Sequence, residues 1–152
     1  DTTVRKGISI VLVAGAVFLA IPSDNNKASG SDSNRTLSEG QIAWSASALD
    51  DYIERGDPIF VDVTADWCIT CKVNKALVLN SGDIRAAFKA KNTVMLQADW
   101  TLPDSEIADY LASFGRFGIP FNILYYPDGR PPVIFDELLT KEKIVSALDK
   151  LN

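Results

Sequence analysis

The sequence contains no histidine, and its sulfur-bearing residues are two cysteines and a single methionine. Without histidine the chain lacks the usual general base, so Ser-His and Cys-His catalytic pairs are excluded and hydrolytic chemistry is not expected. The net charge is −5, and the lysines and arginines are scattered along the chain, which argues against a nucleic-acid-binding surface. These absences leave the two cysteines as the main candidates for chemistry.

A complete membrane-spanning helix requires an apolar run of about 20 residues, and the chain has no run of that length. Its longest uncharged apolar run is the shorter segment at residues 8–21, which follows Arg5 and Lys6. We expect residues 1–22 to be the end of a transmembrane helix that begins further upstream. A signal-peptide core and a buried helix of the folded domain are the alternatives.

The polar residues 23–40 contain many serines, aspartates and asparagines, and they are predicted to form a flexible linker to a folded domain at 41–152. Under the positive-inside rule, Arg5 and Lys6 mark the cytoplasmic end of the apolar segment. The folded domain then emerges on the opposite side, which in a bacterium is the periplasm. We therefore expect a protein of the bacterial inner membrane whose folded domain faces the periplasm.

Cys68 and Cys71 form a CxxC motif that follows an apolar strand and begins a predicted helix. There, the free backbone N–H groups and the dipole of the helix favour the thiolate of the first cysteine, which is its reactive form. A structural disulfide across so short a loop removes little chain entropy from the unfolded state. A zinc site needs about four ligands, whereas this chain has no histidine and no third cysteine. A redox-active dithiol is therefore favoured over a structural disulfide or half of a metal site.

The apolar periodicity downstream of Leu37 alternates between that of helices and that of strands. The predicted helices lie at residues 47–55, 68–79, 83–89, 104–114 and 140–151, and the predicted strands at residues 59–64, 93–98, 121–126 and 132–135. This order indicates an α/β fold in which a mixed central sheet carries helices on both faces. The dithiol then lies at the carboxyl end of a strand, where such sheets place their functional sites.

The chemistry of thiol–disulfide exchange assigns different roles to the residues around the motif. Cys68, first in the helix and next to Trp67, is expected to be the attacking thiolate, and Cys71, one turn inside, the buried resolving thiol. Asp62 lies on the apolar strand, where burial raises the pKa of a carboxyl and lets it accept the proton of the resolving thiol. The alternative for Asp62 is a structural bond to the backbone at a strand edge.

Two stretches of this sequence are similar to a known family. The run at residues 62–72, together with Gly118-Ile119-Pro120 before a strand and hairpin, resembles the thioredoxin superfamily from about Trp44 to the C-terminus. Within that superfamily, residues 65–68, residues 96–99 and the apolar segment upstream resemble the C-terminal domain of DsbD-like thiol:disulfide interchange proteins. Proteins of that kind sit in a membrane and carry electrons outward.

The resemblance implies a thioredoxin-like three-layer fold with a cis peptide bond between Ile119 and Pro120, opposite the dithiol. It also implies that the N–H and C=O groups of Ile119 pair with the backbone of a bound partner, next to Trp67 and Pro120. The sequence departs from the family in one respect. DsbD-like proteins often carry a second acidic residue just past the CxxC motif, where this chain has Lys72 and Lys75.

These residues and the resemblance lead us to expect a protein-disulfide reductase. It would take electrons from an upstream membrane dithiol domain of the same protein and pass them through Cys68 to oxidised thioredoxin-like proteins of the periplasm. The Cys68–Cys71 disulfide would be its redox group, with no separate cofactor and no metal. The alternatives are a membrane-anchored thioredoxin for cytochrome c maturation, a Cu(I)-binding dithiol module and an adaptor with an inert disulfide.

Overall fold

The structure is a computed structural model, and it describes Leu37 and residues 40–151. The predicted apolar segment at residues 1–22 and almost all of the predicted linker lie outside the described residues, so both stay predictions. None of the helices in the described part of the chain combines the length and the hydropathy needed to cross a membrane.

The described residues form five strands, five α-helices and one π-helical segment. In chain order these are β1 (Ile42–Ala43), α1 (Ala46–Glu54), β2 (Ile59–Thr64), α2 (Ile69–Asn74), the π-helical segment (Lys75–Leu79), α3 (Gly82–Ala90), β3 (Val94–Asp99), α4 (Ser105–Ser113), β4 (Phe121–Tyr125), β5 (Val133–Ile134) and α5 (Lys141–Leu148). Ser45, Asp104 and Thr140 cap the starts of α1, α4 and α5, because their side chains accept backbone N–H bonds from the first turn.

The strands form one mixed sheet in the order β1-β3-β2-β4-β5. The central strand β2 runs parallel to β3 and antiparallel to β4. All six residues of β2 are buried, because helices cover both faces of the sheet. The predicted α/β architecture, a mixed sheet between two helical layers, is confirmed.

Two apolar clusters fill the space between the sheet and its helical layers. On one face Phe60 and Leu124 pack against side chains of α3 and α5, and on the other Val61 and Ile123 pack against side chains of α1 and α4. Burial of each large apolar side chain contributes about 1.5–3 kcal/mol to folding. The central strand, which leads directly to the dithiol, is thus held firmly from both sides.

The structure differs from the sequence-based expectation in two elements. Strand β1 was not predicted, because it is two residues long and both residues are exposed. The helix predicted at residues 68–79 is α-helical only to Asn74 and continues as the π-helical segment. Asn74 is buried, and its side chain binds the Glu137 carbonyl at 2.7 Å and the Leu139 N–H at 3.0 Å. The wider π turn then brings both Val78 and Leu79 into the core.

Candidate active site

Cys68 and Cys71 are joined by a disulfide at the point where β2 leads into α2. Cys68 is the N-cap residue of α2, and its Sγ accepts the backbone N–H of Cys71 at 3.2 Å. The Cys68 N–H donates to the Ala65 carbonyl at 3.1 Å, which fixes the turn between strand and helix. The sulfur of Cys68 therefore lies against the N–H groups at the start of the helix, a position that favours a thiolate.

Both cysteines are buried in the disulfide form, with 6% of Cys68 and 1% of Cys71 exposed. Cys68 is the more accessible of the two, in the order that the sequence predicts, although the margin is small. Since exchange requires a direct approach of one sulfur to another, a partner must come into close contact with the surface around Cys68. The side chains of that surface therefore decide which partners react.

The Ile119–Pro120 segment lies beside the disulfide. Its peptide bond is cis, as the resemblance implied, and Pro120 is buried. The half-buried Ile119 packs against the small apolar cluster formed by Ala65, Cys68 and Cys71. The structure thus brings together three of the predicted site residues, namely the two cysteines and Ile119, with Pro120 directly adjoining.

Exposed apolar side chains flank the disulfide in the sequence on both sides. Trp67 precedes Cys68 and is 61% exposed, and Ile69 follows it and is 78% exposed. Phe117, two residues before Ile119, is 83% exposed. Large apolar side chains that stay in water next to a reactive group are typical of an interaction surface. We call Trp67, Ile69 and Phe117 the apolar rim.

Trp67 is held by a residue that the sequence analysis did not identify. The indole Nε1–H of Trp67 donates to the Thr101 carbonyl at 3.2 Å, and the Asp66 N–H donates to the Thr101 hydroxyl at 2.9 Å. The Thr101 hydroxyl in turn donates to Asp99 at the end of β3. Thr101 lies just beyond the carboxyl end of a parallel strand neighbouring β2, and this position was the available signal.

Asp62 lies in a row of buried polar side chains across three strands. In the sheet it is paired with Gln97 on β3 and with Asn122 on β4. Asp62 is 2% exposed, and the Asn122 Nδ2 donates to its Oδ1 at 2.8 Å. The predicted burial of Asp62 is confirmed, and this bond joins it to a side chain of the neighbouring strand. Gln97 and Asn122 were missed, although each is a polar residue within an apolar strand.

Lys75 completes this row from the helical layer above it. Its Nζ donates to the Gln97 Oε1 at 2.9 Å and lies 3.6 Å from the Asp62 Oδ2. Burial raises the pKa of Asp62 above its ordinary value, while the Lys75 charge and the Asn122 hydrogen bond act in the opposite direction without cancelling it. The carboxyl thus keeps a raised proton affinity even though a cation lies beside it.

The same contact relates Asp62 to the dithiol. Lys75 follows Cys71 by four residues in one continuous helical stretch, and side chains at that spacing lie on the same side of a helix, one turn apart. Because Lys75 reaches Asp62, the carboxyl lies beneath the side of the helix that carries Cys71. Asp62 and Cys71 thus lie on the same side of α2, which is one condition for proton exchange between them.

A model of the thioredoxin-like family matches residues 41–127, more than half of the chain. The chain belongs to the thioredoxin-like family. Among curated proteins it is similar to the thiol:disulfide interchange protein DsbD of Ralstonia nicotianae, with 35% identity over 74 residues, which are 49% of this chain and 12% of that protein. DsbD of Escherichia coli is 32% identical over 76 residues, which are 50% of this chain and 13% of that protein. The chain thus spans only a small part of these relatives.

Solved structures show the same fold. The C-terminal domain of Neisseria meningitidis DsbD in its reduced form superposes on this chain with a TM-score of 0.58 at 24% identity. The superposition covers 73% of this chain and 100% of that domain. Chloroplastic thioredoxin z superposes with a TM-score of 0.55 at 17% identity, over 76% of this chain and 96% of that one. The recognised resemblance to a DsbD-like thioredoxin domain is confirmed, and the family and the disulfide together support thiol–disulfide exchange at this site.

The thioredoxin-like site allows a test of Thr101. Thr101→Val removes the hydroxyl that orders the chain around Trp67, so the KM for a protein disulfide is expected to rise several-fold. The rate with oxidised glutathione, which is too small to use the apolar rim, should stay the same. Thr101→Ser keeps the hydroxyl and is the matched control. An equal loss with both substrates would show instead that Thr101 supports the dithiol itself.

Proposed function

We propose that the chain is a protein-disulfide reductase domain. It accepts electrons from a membrane dithiol domain of the same protein and passes them to oxidised thioredoxin-like proteins of the periplasm. The observation that carries this proposal is the disulfide at the start of α2, with the cis Ile119–Pro120 segment beside it and a buried carboxyl beneath it. The similarity to DsbD supports the outward direction of the electrons.

The proposed reaction has two steps, each an exchange of one disulfide for another. In the first, the Cys68 thiolate attacks a disulfide sulfur of the client, so that a Cys68–client bond forms and one client thiolate leaves. In the second, Cys71 transfers its proton to Asp62 and attacks Cys68. The Cys68–Cys71 disulfide forms, the second client thiolate leaves, and it takes up a proton. The client gains the two electrons that the domain loses; the second client thiolate receives the Cys71 proton from Asp62, and the first takes up a proton from water.

The surface around Cys68 positions the client in this reaction. The backbone of Ile119 offers an N–H donor and a C=O acceptor to an extended segment of the client, as in the addition of a short strand. Pro120 has no N–H, so the pairing ends there. Trp67 and the other side chains of the apolar rim offer apolar contacts to the client, and the release of water from these side chains on binding favours the complex.

The location follows from the same proposal. We place the domain on the periplasmic face of the bacterial inner membrane, with residues 1–22 as the end of a membrane helix behind Arg5 and Lys6. In an oxidising compartment a dithiol stays reduced only if electrons are delivered to it continuously. A membrane dithiol domain upstream in the same protein would be that source.

The reduction potential tests the direction of electron flow. The residues between the cysteines, Ile69 and Thr70, carry no charge, so the reduced form lacks the extra stabilisation that makes some relatives strong oxidants. Equilibration with glutathione should give a potential well below the about −120 mV of a strongly oxidising dithiol. Thr70→His adds a potential cation next to the sulfurs and should raise the value. A potential near that of the strong oxidants in the unmodified chain would refute the reductase assignment.

A further inference from the structure

We propose that Lys75 is a positioning residue that holds the Asp62 carboxylate charged and oriented beneath the dithiol, so that Asp62 can accept the proton of Cys71. The inference rests on the proposed function, because it assigns a role within the second step of that reaction. Lys75 is one of the residues at which the sequence departs from the DsbD-like pattern.

The ammonium of Lys75 is fixed by two neighbouring strands. Gln97 on β3 accepts its hydrogen bond at 2.9 Å, and Asp62 on β2 lies 3.6 Å away. Gln97 and Asp62 are paired in the register of the sheet, so their side chains leave it side by side. Because Gln97 is buried and neutral, it orients the cation without competing for its charge. The amide thus serves to keep Lys75 pointed at the carboxylate.

One oxygen of the Asp62 carboxylate is open to accept a proton. The Asp62 Oδ1 accepts the Asn122 Nδ2–H at 2.8 Å, but the Oδ2, on the side of Lys75, has no hydrogen-bond partner among the described residues. At 3.6 Å the ammonium is too far for a good hydrogen bond but close enough for a strong charge interaction. Lys75 therefore stabilises the charge of Asp62 without occupying the oxygen that would receive a proton.

The pair is shielded from water and salt. The side chain of Asp62 is 3% exposed and that of Lys75 is 21% exposed. Screening by salt is much weaker for a partly buried pair than for one on the surface. The charge of Lys75 lowers the pKa of Asp62, against the larger effect of burial. Without the cation, burial would be opposed only by the Asn122 hydrogen bond and would keep the carboxyl protonated to a higher pH.

The strands β3 and β4 and the helix above the sheet carry the other groups that face Asp62. On β3 these are the neutral Gln97 and, two residues further on the same face, Asp99, which binds Thr101. On β4 the facing residue is the neutral Asn122. On the helix above, Cys71 adds a thiol once the disulfide is reduced. Lys75 is thus the cation that acts on Asp62 within the described residues.

A set of five variants tests the role of Lys75. Lys75→Met removes the charge and keeps the length of the side chain, while Lys75→Arg keeps the charge. Lys72→Met removes an exposed charge three residues away and is the matched control. Asp62→Asn removes the carboxylate alone, and its combination with Lys75→Met removes both partners. Each reduced full chain is mixed with oxidised glutathione as the probe and quenched with acid at intervals. The decay of the Cys68–glutathione adduct is then followed by mass spectrometry as a function of pH.

We expect Lys75→Met to move the acid limb of this pH–rate profile to higher pH by about one pH unit or more. The reason is that an opposite charge within about 4–6 Å lowers the pKa of a carboxyl by about 1–3. Lys75→Arg should restore the profile, and Lys72→Met should leave it unchanged. In the Asp62→Asn background, Lys75→Met should cause no further shift. An unchanged profile for Lys75→Met, or an equal shift in the Asp62→Asn background, would overturn the inference.

A titration of the Asp62 carboxyl by carbon-13 NMR separates failure of this inference from failure of the proposed function. It uses the oxidised chain and requires no exchange activity. Lys75→Met should raise the titration midpoint, and Lys72→Met should not. If the unmodified chain forms or resolves no mixed disulfide, the proposed function fails while the midpoint still decides whether Lys75 holds Asp62 charged. If the chain is active and the midpoint does not move, only the inference fails.

Discussion

Replacing Cys68 with serine is expected to abolish thiol–disulfide exchange, whereas Cys71→Ser should allow the first step and block the second. The reason lies in the start of α2, where the Cys68 sulfur meets the N–H of Cys71 and is the more exposed of the pair. Without Cys71 no thiol remains to release the client, so a mixed disulfide between Cys68 and the client should accumulate. Non-reducing electrophoresis with an oxidised thioredoxin-like protein measures both effects.

Alkylation of the reduced chain provides the control for this assignment. The chain is treated briefly with iodoacetamide, and the labelled peptides are identified by mass spectrometry. Cys68 should be modified first, because the attacking sulfur must be the accessible thiolate. Earlier modification of Cys71, or mixed disulfides trapped by Cys68→Ser, would reverse the roles of the two thiols. The double variant with serine at both positions should show neither labelling nor trapping.

The main architecture was predictable because most of its elements bury a regular apolar pattern. All six residues of β2 are buried and four of them are apolar, the exceptions being Asp62 and Thr64, and the helices show one apolar face each. The two-residue strand β1 has no such pattern, because its pairing with β3 depends on backbone hydrogen bonds and not on buried side chains. The change to a π helix after Asn74 could not be predicted either, because it depends on contacts of the Asn74 side chain with residues 137 and 139, which are distant in the sequence.

The site was predictable to a similar extent and for a similar reason. The CxxC motif, the buried position of Asp62 and the exposed position of Trp67 follow from local sequence and were found where expected. The contacts of Lys75 and Thr101 were not, because both join segments that are distant in the sequence. A long, flexible lysine side chain can reach many places from the same helical position. Only the register of β2 and β3 shows that Asp62 and Gln97 meet it together.

Asp62→Asn is expected to slow the release of the client by about 10²-fold near neutral pH, the lower end of what a positioned general base contributes. Asparagine keeps the shape of the side chain and an oxygen that can accept the Asn122 hydrogen bond, but it cannot take a proton from Cys71. The first step, attack by Cys68, should be affected much less. Acid-quenched kinetics with oxidised glutathione resolve the two steps, and the Lys72→Met variant serves as a control for general effects of charge.

The stability of the same variant reports on the state of the carboxyl. Burial raises the pKa of Asp62, so the folded chain holds this proton more tightly than the unfolded chain, whose carboxyl titrates at about 3.9. The protonated carboxyl favours folding below that pH, and the advantage is lost as the pH rises through the folded-state pKa. Asp62→Asn should therefore raise the free energy of unfolding more at pH 7 than at pH 3, in denaturant titrations at both values. A less stable variant with unchanged exchange kinetics would mean that Asp62 is a structural residue and that the proton of Cys71 leaves through water.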